Sequence, residues 1–391
     1  MNQDIVCFSH LRWNFVHQRP QHLMSRAARE RRVLVIEEPV YGGVLRGSLY
    51  LRSAPCGVIV AVPMLPDGLS PAESEALQVS LVGQVVKGLD FTSYLAWFYT
   101  PMALPLMQTL SPQAIVYDCM DELSAFKAAP ADMAVRETEL LRVADVVFTG
   151  GQSLYRAKRH LHHNVHCFPS AVDFDHFAQA RKPMAAPPDQ AAIPGPRAGY
   201  FGVIDERMDL ELVRQLADLL PELQIVMVGP TAKISPGDLP RRPNIHWLGI
   251  KRYNELPAYI SGWDVALLPF AHNDATRFIS PTKVPEYLAA GKPVVSTAIR
   301  DVVHPWGVQG LVRIAGRAEG FVLAVKDALS EGLGSRLATV DRALRHISWD
   351  HTWHAMDRLC ASAVERHASR ALVSLPSRLR ATPALRSASL L

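Results

Sequence analysis

Short apolar runs alternate with polar and amphipathic stretches along the first 150 residues of the chain. The runs are rich in Val, Ile and aromatic residues and span 4–9, 31–39, 57–63, 94–101, 114–121 and 145–151. Stretches with helical periodicity, such as 21–30, separate several of them. Strands that alternate with helices predict a mostly parallel, doubly wound α/β sheet, whose ligands bind beyond the carboxyl ends of the strands.

A Pro-rich segment, 183-PMAAPPDQAAIPGPRA-198, separates two such regions. Its prolines among small residues favour a linker between domains. The alternation then begins again, with predicted strands at 198–204, 223–230, 244–250, 264–270 and 310–316 and a helix at 209–220. The sequence therefore predicts two Rossmann-like domains that face a cleft, an N-terminal domain over 1–182 and a C-terminal domain over 199–345.

The end of the chain carries a different pattern. Apolar residues recur at helical spacing after Ser348, a residue type that caps helices, so we predict a helix over 346–366 that can cross back to the N-terminal domain. Residues 367–391 contain basic residues and no acidic ones. We expect a disordered tail there, with a tether to the membrane surface as the alternative.

Composition narrows the class of protein. A chain of 391 residues exceeds the usual size of one core, and 49% hydrophobic with 20% charged residues is typical of soluble globular proteins. No apolar run reaches a membrane span, and MNQDIVCFSH lacks the order of a signal peptide. Five dispersed cysteines fit neither a disulfide framework nor a zinc site. We therefore expect a cytoplasmic protein, with the inner face of the membrane as a second location.

Common cofactor and hydrolase motifs are missing from the sequence. No G-x-G-x-x-G follows a strand, and neither G-x-x-x-x-G-K-[ST] nor G-x-S-x-G occurs. Dehydrogenase, P-loop and α/β-hydrolase functions therefore lose their main support. The net charge of +4 permits phosphate-bearing ligands or an anionic membrane surface, and we expect no nucleic-acid partner.

Four landmarks follow one another in the order seen in family-4 glycosyltransferases of the GT-B fold, which this chain resembles. They are ADVVFTGGQSL (144–154), CFPSAVDFDHF (167–177), NIHWLGIKRYNELPAYISGWDVALLPF (244–270) and PEYLAAGKPVVST (285–297). The chain also departs from the family pattern. Members often carry two glutamates separated by seven residues, and Phe278 stands where the first would precede Glu286. Ser170 and Ala171 replace the usual Asn-Gly.

Two basic residues are candidate phosphate ligands. Lys283 lies in a loop that Pro281 and Pro285 stiffen, just before a predicted helix, and this arrangement suits an anion. Arg207, on the loop after the first strand of the C-terminal domain, is the natural second cation. Gly202 in that loop lets the backbone approach a ligand closely. Ordinary surface charges are the alternative for both side chains.

The resemblance implies further roles around these cations. Glu286 would accept hydrogen bonds from the ribose hydroxyls, while Ser280, Thr282 and backbone amides would hold the diphosphate. The alternative for Glu286 is a carboxylate that merely stabilises a helix N-terminus. Arg277 either pairs with an acid or reaches the sugar.

Acceptor chemistry is expected from the N-terminal domain. Asp118 and Asp121 lie beyond the strand at 114–119, where an acid binds sugar hydroxyls or assists the acceptor's proton. The alternative is that both cap the following helix. The other acceptor-side candidates follow the first strand and are His10, Arg12, Trp13 and Arg19.

No metal site is expected. The sequence 173-DFD-175 has the form of the D-x-D metal site of A-fold glycosyltransferases. Its position after PSAV instead fits the V-D-x-x-x-F turn of the resembling family. We therefore predict no cofactor and no essential metal, and the nucleotide-sugar is a substrate.

The resemblance implies transfer of a sugar from a nucleotide-sugar to a glycan or lipid-linked acceptor, with retention, in cell-surface polysaccharide synthesis. Two alternatives stay open. One is a nucleotide-sugar epimerase on the same fold. The other is a catalytically silent, nucleotide-sugar-binding partner of another enzyme, which the missing first glutamate favours. Contact with an anionic membrane through the basic tail is a further expectation.

Overall fold

Two mostly parallel β-sheets covered by helices form the protein, and the predicted α/β fold class is confirmed. The computed structural model describes residues 3–331 and 336–374, with side chains described as far as residue 369. The last helix extends to Ser374, so residues 367–374 of the predicted disordered tail are helical, and residues 375–391 lie outside the described residues.

The first sheet contains nine strands of the described chain. They are β1 (Asp4–Ser9), β2 (Val33–Glu37), β3 (Val40–Tyr41), β4 (Ser48–Ser53), β5 (Ile59–Leu65), β6 (Tyr94–Phe98), β7 (Ala114–Cys119), β8 (Val146–Thr149) and β9 (Val165–Cys167). Their order is β3-β5-β2-β1-β6-β7-β8-β9, and β4 runs antiparallel to β5 outside this path. The helices are α1 (Arg19–Ala27), α2 (Pro71–Gly88), α3 (Met133–Val143) and α4 (Gln152–Lys158), with 3₁₀ turns at Pro101–Thr109 and Leu123–Ala125.

A short helical segment leads to the second sheet. It contains α5 (Phe174–Ala178), a 3₁₀ turn at Gln179–Arg181 and α6 (Pro188–Ala191). The strands are β10 (Arg197–Phe201), β11 (Gln224–Val228), β12 (Ile245–Gly249), β13 (Val265–Leu268), β14 (Val294–Ser296) and β15 (Arg313–Ile314). They are parallel in the order β12-β11-β10-β13-β14-β15.

Helices cover the second sheet and continue to the end of the described chain. They are α7 (Leu210–Leu219), α8 (Leu256–Ser261), α9 (Lys283–Ala289), α10 (Arg300–Val302), α11 (Ala318–Ser330), α12 (Leu337–Leu344) and α13 (Trp349–Ser374). Short turns lie at Pro236–Asp238, Tyr253–Glu255, Asp274–Thr276 and Val303–Gly307. Uninterrupted apolar strands such as VLVIE in β2 are buried on both faces, as expected for parallel sheets covered by helices on both sides.

The segment before the second sheet packs against that sheet. Val172, Phe177 and Ala180 are buried in the core around it, and so is Ile193 of the Pro-rich segment. The C-terminal core therefore already contains residues that precede position 183.

Within the Pro-rich segment, Gln190 is fully buried. Its Nε2 donates to Tyr259 O at 2.9 Å, and its Oε1 accepts from Trp263 Nε1 at the same distance. These bonds hold α6 against α8.

The last helix returns to the N-terminal domain. Trp349, Trp353 and Met356 on α13 are buried in one cluster with Ile5 of β1 and Leu23 of α1. The two domains are thus joined twice, through α5 and through α13.

A third connection is a hydrogen-bonded carboxylate. Asp301 of α10 accepts from the backbone N–H of Ser153 at 3.1 Å, in the first turn of α4. Asp301 is buried, and a Cβ at position 151 would lie 2.4 Å from its Oδ2, so Gly151 is needed for this contact.

Among the described residues, the structure contains no helix that is long and apolar enough to cross a membrane.

Because α13 packs into the N-terminal core, we predict that Trp353 contributes to the stability of that domain. Trp353 is 1% exposed, so Trp353→Ala should reduce the free energy of unfolding by about 3–5 kcal/mol through lost burial and a cavity. Urea denaturation measures the change, with Leu323→Ala as the control because Leu323 is 62% exposed. Equal, small effects of the two substitutions would contradict the packing described for α13.

Candidate active site

A cavity of about 580 Å³ lies between the two domains. The N-terminal domain contributes the loop between β1 and α1, residues 13–18, together with Pro55. The C-terminal domain contributes the loops after β10, β11 and β12 and the first turns of α9. The cavity therefore lies at the carboxyl ends of the second sheet, where ligands of doubly wound folds bind.

A smaller cavity of about 80 Å³ shares residues with it. Arg207, Thr282 and Lys283 line both cavities. Arg19, Asp121 and Ser280 line the smaller one and not the larger. The smaller cavity thus brings together six residues that the sequence selects as candidates.

Gly202 allows Lys283 to approach the end of β10. The φ angle of Gly202 is +132°, and a Cβ there would lie 2.2 Å from Lys283 Cε. A Cβ at Gly229 would in turn lie 1.9 Å from Gly202 O. The ammonium of Lys283 lies 5.6 Å from the centre of the Tyr200 ring. Two glycines on neighbouring strands therefore make room for one cation.

Burial determines the electrostatics of α9. Burial lowers the pKa of Lys283, although the nearby carboxylate of Glu286 acts in the opposite direction. Burial likewise raises the pKa of Glu286, and Lys283 opposes that shift. Each group is costly to keep charged, so a ligand that binds both stabilises the site.

Glu286 lines the larger cavity and is 4% exposed. Its Oε2 is buried without a hydrogen-bond partner among the described residues. A buried polar atom without a partner is rare in folded proteins and is a natural position for a ligand donor. No side-chain hydrogen bond caps the N-terminus of α9.

Asp205 fixes the orientation of Arg207. Arg207 Nε donates to Asp205 Oδ1 at 2.9 Å and Nη2 donates to Oδ2 at 2.6 Å, with Asp205 itself buried. From the N-terminal domain, the ring of Phe126 lies 5.4 Å from the guanidinium. Such a held guanidinium is preorganised to meet an anion.

Asp121 approaches these cations from the N-terminal domain. Burial raises its pKa to about 6, although Arg207 and Lys283 partly oppose that shift. The carboxyl group is therefore charged at neutral pH and becomes protonated in mild acid.

Asp118 lies in the core and lines neither of these two cavities, contrary to the acceptor role predicted for it, whereas Arg19 lines the smaller cavity but is paired with Asp118. Asp118 is fully buried, and both of its oxygens accept from Arg19 Nε at 3.0 Å. Arg19 Nη1 also donates to Phe168 O at 2.8 Å, and Nη2 approaches Met356 Sδ at 3.7 Å. This buried pair links α1, β7 and α13, because a carboxylate inside a core needs a partner of opposite charge.

Other acceptor-side candidates have defined partners. Arg12 donates to Glu37 Oε2 at 3.2 Å and to Pro39 O at 3.1 Å. The backbone N–H of Trp13 donates to Glu37 Oε1 at 2.8 Å, and Trp13 lines the larger cavity. The Nδ1 atom of His10 is buried without a hydrogen-bond partner in the part of the chain that the structure describes, and burial lowers the pKa of His10 to about 4.

The two remaining candidates, Ser280 and Arg277, differ in position. Ser280 O accepts from Ser170 Oγ at 3.0 Å across the domain boundary. Arg277 is exposed, with its guanidinium 5.2 Å from the Phe278 ring, and lines neither cavity. Phe278 packs against the core of the N-terminal domain.

An aromatic and acidic cluster near the cleft was not selected from the sequence. Tyr253 stacks between His17 and His176, with ring centres 4.3 Å apart on each side. Tyr253 and His17 line the larger cavity. Helical spacing gives no signal for this cluster, because its members come from both domains.

Asp173 of the DFD sequence belongs to this cluster. Its carboxylate forms ion pairs with Arg26 and lies 3.3 Å from His22 Nδ1. Burial would raise the pKa of Asp173, but the bonds from His22 and Arg26 hold it well below its usual range. No group of acidic, histidine and cysteine side chains in the described residues is arranged to hold a metal ion.

A separate cavity of about 830 Å³ lies in the N-terminal domain. It is lined by the ends of β1 and β2, by Tyr41, by the first turns of α2 and by the 3₁₀ turn Pro101–Thr109. Glu37, Glu38, Glu75 and Asp132 line it together with a single arginine, Arg136. The lining is therefore mostly apolar and acidic.

Comparisons with known proteins agree on the type of fold. Residues 196–331 match the model of the family Glycosyl transferases group 1. The sucrose-phosphate synthase of Thermosynechococcus elongatus superposes with a TM-score of 0.69 at 14% identity, over 93% of this chain and 100% of that chain. An E. coli trehalose-6-phosphate structure with bound UDP-2-fluoro glucose gives 0.66 at 12% identity, over 93% and 99% of the two chains.

A relative by sequence is TuaH of Bacillus subtilis (strain 168), named as a teichuronic acid biosynthesis glycosyltransferase. It is 27% identical over 222 residues, which cover 51% of this chain and 54% of TuaH. The match therefore spans about half the length of that relative. Residues 196–331 are therefore similar to group 1 glycosyltransferases, and the chain as a whole has the two-domain GT-B fold of the superposed structures.

Proposed function

We propose that this protein transfers a sugar from a nucleotide-sugar donor to a glycan or lipid-linked acceptor in the synthesis of a cell-surface polysaccharide. The observation that carries the proposal is a pair of oppositely charged side chains at the cleft. Lys283 is half-buried over Gly202, and Glu286 is buried with one oxygen that has no hydrogen-bond partner among the described residues. A nucleoside diphosphate has both groups that this pair needs, namely phosphates for the lysine and ribose hydroxyls for the carboxylate.

The chemistry of the donor explains why fixed cations would matter. Negative charge grows on the departing diphosphate as the glycosidic bond breaks. Lys283 and the Asp205-held Arg207 meet that charge with little reorganisation, and this favours the transition state over the ground state. Thr282 and Ser280 would complete the diphosphate contacts.

The acceptor would approach from the N-terminal domain. Asp121 is the acid of that domain that lines the same small cavity as both cations, so it is the best candidate to bind or orient the acceptor hydroxyl. The acidic and apolar lining of the 830 Å³ cavity favours an uncharged sugar or lipid portion over an anionic one. We propose that the transfer retains the anomeric configuration of the sugar and needs no essential metal, because the family that this chain resembles acts in this way.

Two measurements test the function itself. A thermal-shift screen of nucleoside diphosphates and nucleotide-sugars finds the donor, because binding to the native state raises the unfolding midpoint. The protein is then incubated with the selected donor and EDTA, with and without acceptor. Sugar release and sugar transfer are measured in both cases. Epimer formation without an acceptor would favour the epimerase alternative, and binding without any turnover would favour the silent partner.

Glu286→Gln tests the ribose contact. Loss of a hydrogen bond to a charged acceptor should weaken nucleoside diphosphate binding by about 1.5–3 kcal/mol in calorimetry. Glu319→Gln is the matched control, because Glu319 is an exposed acid in the first turn of α11. Normal binding by the Glu286 variant, with only a lower melting temperature, would mean that this carboxylate merely stabilises the helix.

Lys283→Ala tests the phosphate cation. Removal of one preorganised charge stabiliser should reduce kcat by roughly 10²–10³, with a smaller effect on donor affinity. Lys283→Arg should not restore the full rate, since a planar fork does not fit the space above Gly202. Steady-state transfer assays compare these variants with Lys326→Ala, an exposed lysine on α11. Wild-type turnover by Lys283→Ala would reject the assignment.

The raised pKa of Asp121 predicts a pH dependence. Because the value is about 6, the carboxylate is protonated below that pH, and kcat/KM should fall as the pH decreases through it. Asp121→Asn should be slow and should lack this acidic limb. The pH profile of kcat/KM from pH 5 to pH 8 measures both effects. An unchanged acidic limb in the variant would assign it to another group.

A further inference from the structure

Five of the thirteen large apolar side chains that the described residues expose lie within residues 40–51. They are Val40, Tyr41, Leu45, Tyr50 and Leu51. The other eight are distributed over the rest of the described chain. Scattered apolar residues are normal on a protein surface, but a concentration in one segment marks an interaction site. We name residues 40–51 the β3–β4 protrusion.

The protrusion has an anchored base and a free tip. Tyr41 Oη lies 2.7 Å from Ser74 Oγ of α2, and a Cβ at Gly47 would lie 2.6 Å from Leu77 of the same helix. Leu45, between these two anchors, is 99% exposed. The fold therefore holds a leucine in solvent on a segment whose two ends are fixed.

The charge of this segment is one-sided. Between Glu38 and Asp67 the sequence contains no acidic residue but includes Arg46 and Arg52. Arg52 bonds to Glu37 and Asn14, whereas Arg46, next to Leu45, is exposed and forms no ion pair with any residue that the structure describes.

One acid, Asp67, contacts the base of the protrusion. It lies beside Gly42, where a Cβ would be 3.0 Å from its Oδ2. It therefore adjoins the anchored base, and the tip keeps the unpaired charge of Arg46.

We propose that the β3–β4 protrusion docks the protein on an anionic phospholipid surface. Leu45 enters the acyl boundary, Tyr41 and Tyr50 lie at the headgroup level, and Arg46 meets lipid phosphates. Each residue type has this preference at membrane interfaces. A second copy of the chain fits less well, because self-association would place the unpaired Arg46 of one copy near that of the other.

Docking through the β3–β4 protrusion also indicates which kind of acceptor the protein uses. This inference about the acceptor rests on the proposed function. Tyr41 belongs to the protrusion and to the lining of the 830 Å³ cavity, so that cavity adjoins the docked face. An acceptor sugar carried on a membrane lipid would then reach the N-terminal domain without leaving the bilayer.

Vesicle co-sedimentation of the full chain tests the proposal. Phosphatidylcholine vesicles with and without phosphatidylglycerol are compared at low and high salt. The wild type should bind the anionic vesicles and release them as salt screens the charges. Leu45→Asp and Arg46→Glu should each bind roughly tenfold more weakly. Leu323→Asp, a control at a leucine that is 62% exposed on α11, should bind like the wild type.

Three results would overturn docking through the protrusion. They are no binding by the wild type, unchanged binding by Leu45→Asp, and a change in sedimentation-velocity self-association rather than vesicle binding in that variant. Nucleoside diphosphate binding without vesicles is measured in parallel and should be equal in wild type and Leu45→Asp. Vesicle binding without nucleotide binding would reject the proposed function and leave the docking surface intact.

Discussion

Lys283 can lie against the end of β10 only because residue 202 is glycine. Any side chain at that position would occupy the place of the lysine's terminal carbons, and Gly229 on the next strand leaves room for the Gly202 carbonyl. The lysine is therefore half-buried at the floor of the cleft, where desolvation makes its charge costly to maintain. Glu286, one turn along α9, is buried and has one oxygen without a hydrogen-bond partner among the described residues. The floor of the cleft thus contains charged groups of both signs, and one ligand can bind both.

The floor of the cleft keeps its position relative to the N-terminal domain only if the two domains are held at a fixed distance. Helix α13 contributes three large side chains to the N-terminal core, Asp301 binds the first turn of α4, and Asp173 pairs with Arg26 of α1. Each contact is buried or partly buried, so each is expected to be stronger than an exposed ion pair. Together they keep Asp121 and Phe126 of one domain beside Arg207 of the other.

The sequence predicts the fold because strands and helices are indicated by local patterns of apolar and polar residues. Uninterrupted apolar strands, the helices between them and the spacing of Trp349, Trp353 and Met356 follow from periodicity. Lys283 and Glu286 were found because proline, charge and helix start stand together in one short segment. The partners of these residues were not readable. In the sequence, Asp118 is an acid at the end of a predicted strand. Only the packing of α1 and α13 shows that its carboxylate is paired with Arg19.

The same limit explains the aromatic cluster and the protrusion. Tyr253 meets His17 across the cleft, a contact between residues far apart in the chain that no spacing rule predicts. The sequence VYGGVLRGSLYL (40–51) carries no motif that predicts a functional surface, and the exposure of Leu45 depends on where α2 holds the two ends of the segment. The composition of the basic tail predicts contact with a membrane there, but the concentration of exposed apolar residues that the structure describes lies in the N-terminal domain.

A crystal structure of the chain with the nucleoside diphosphate selected by thermal shift shows whether one ligand binds both Lys283 and Glu286. A phosphate oxygen should lie within about 3 Å of Lys283 Nζ, and a ribose hydroxyl should donate to Glu286 Oε2. A nucleotide bound in another cavity, or bound in the cleft with its phosphates directed away from Lys283, would contradict this prediction.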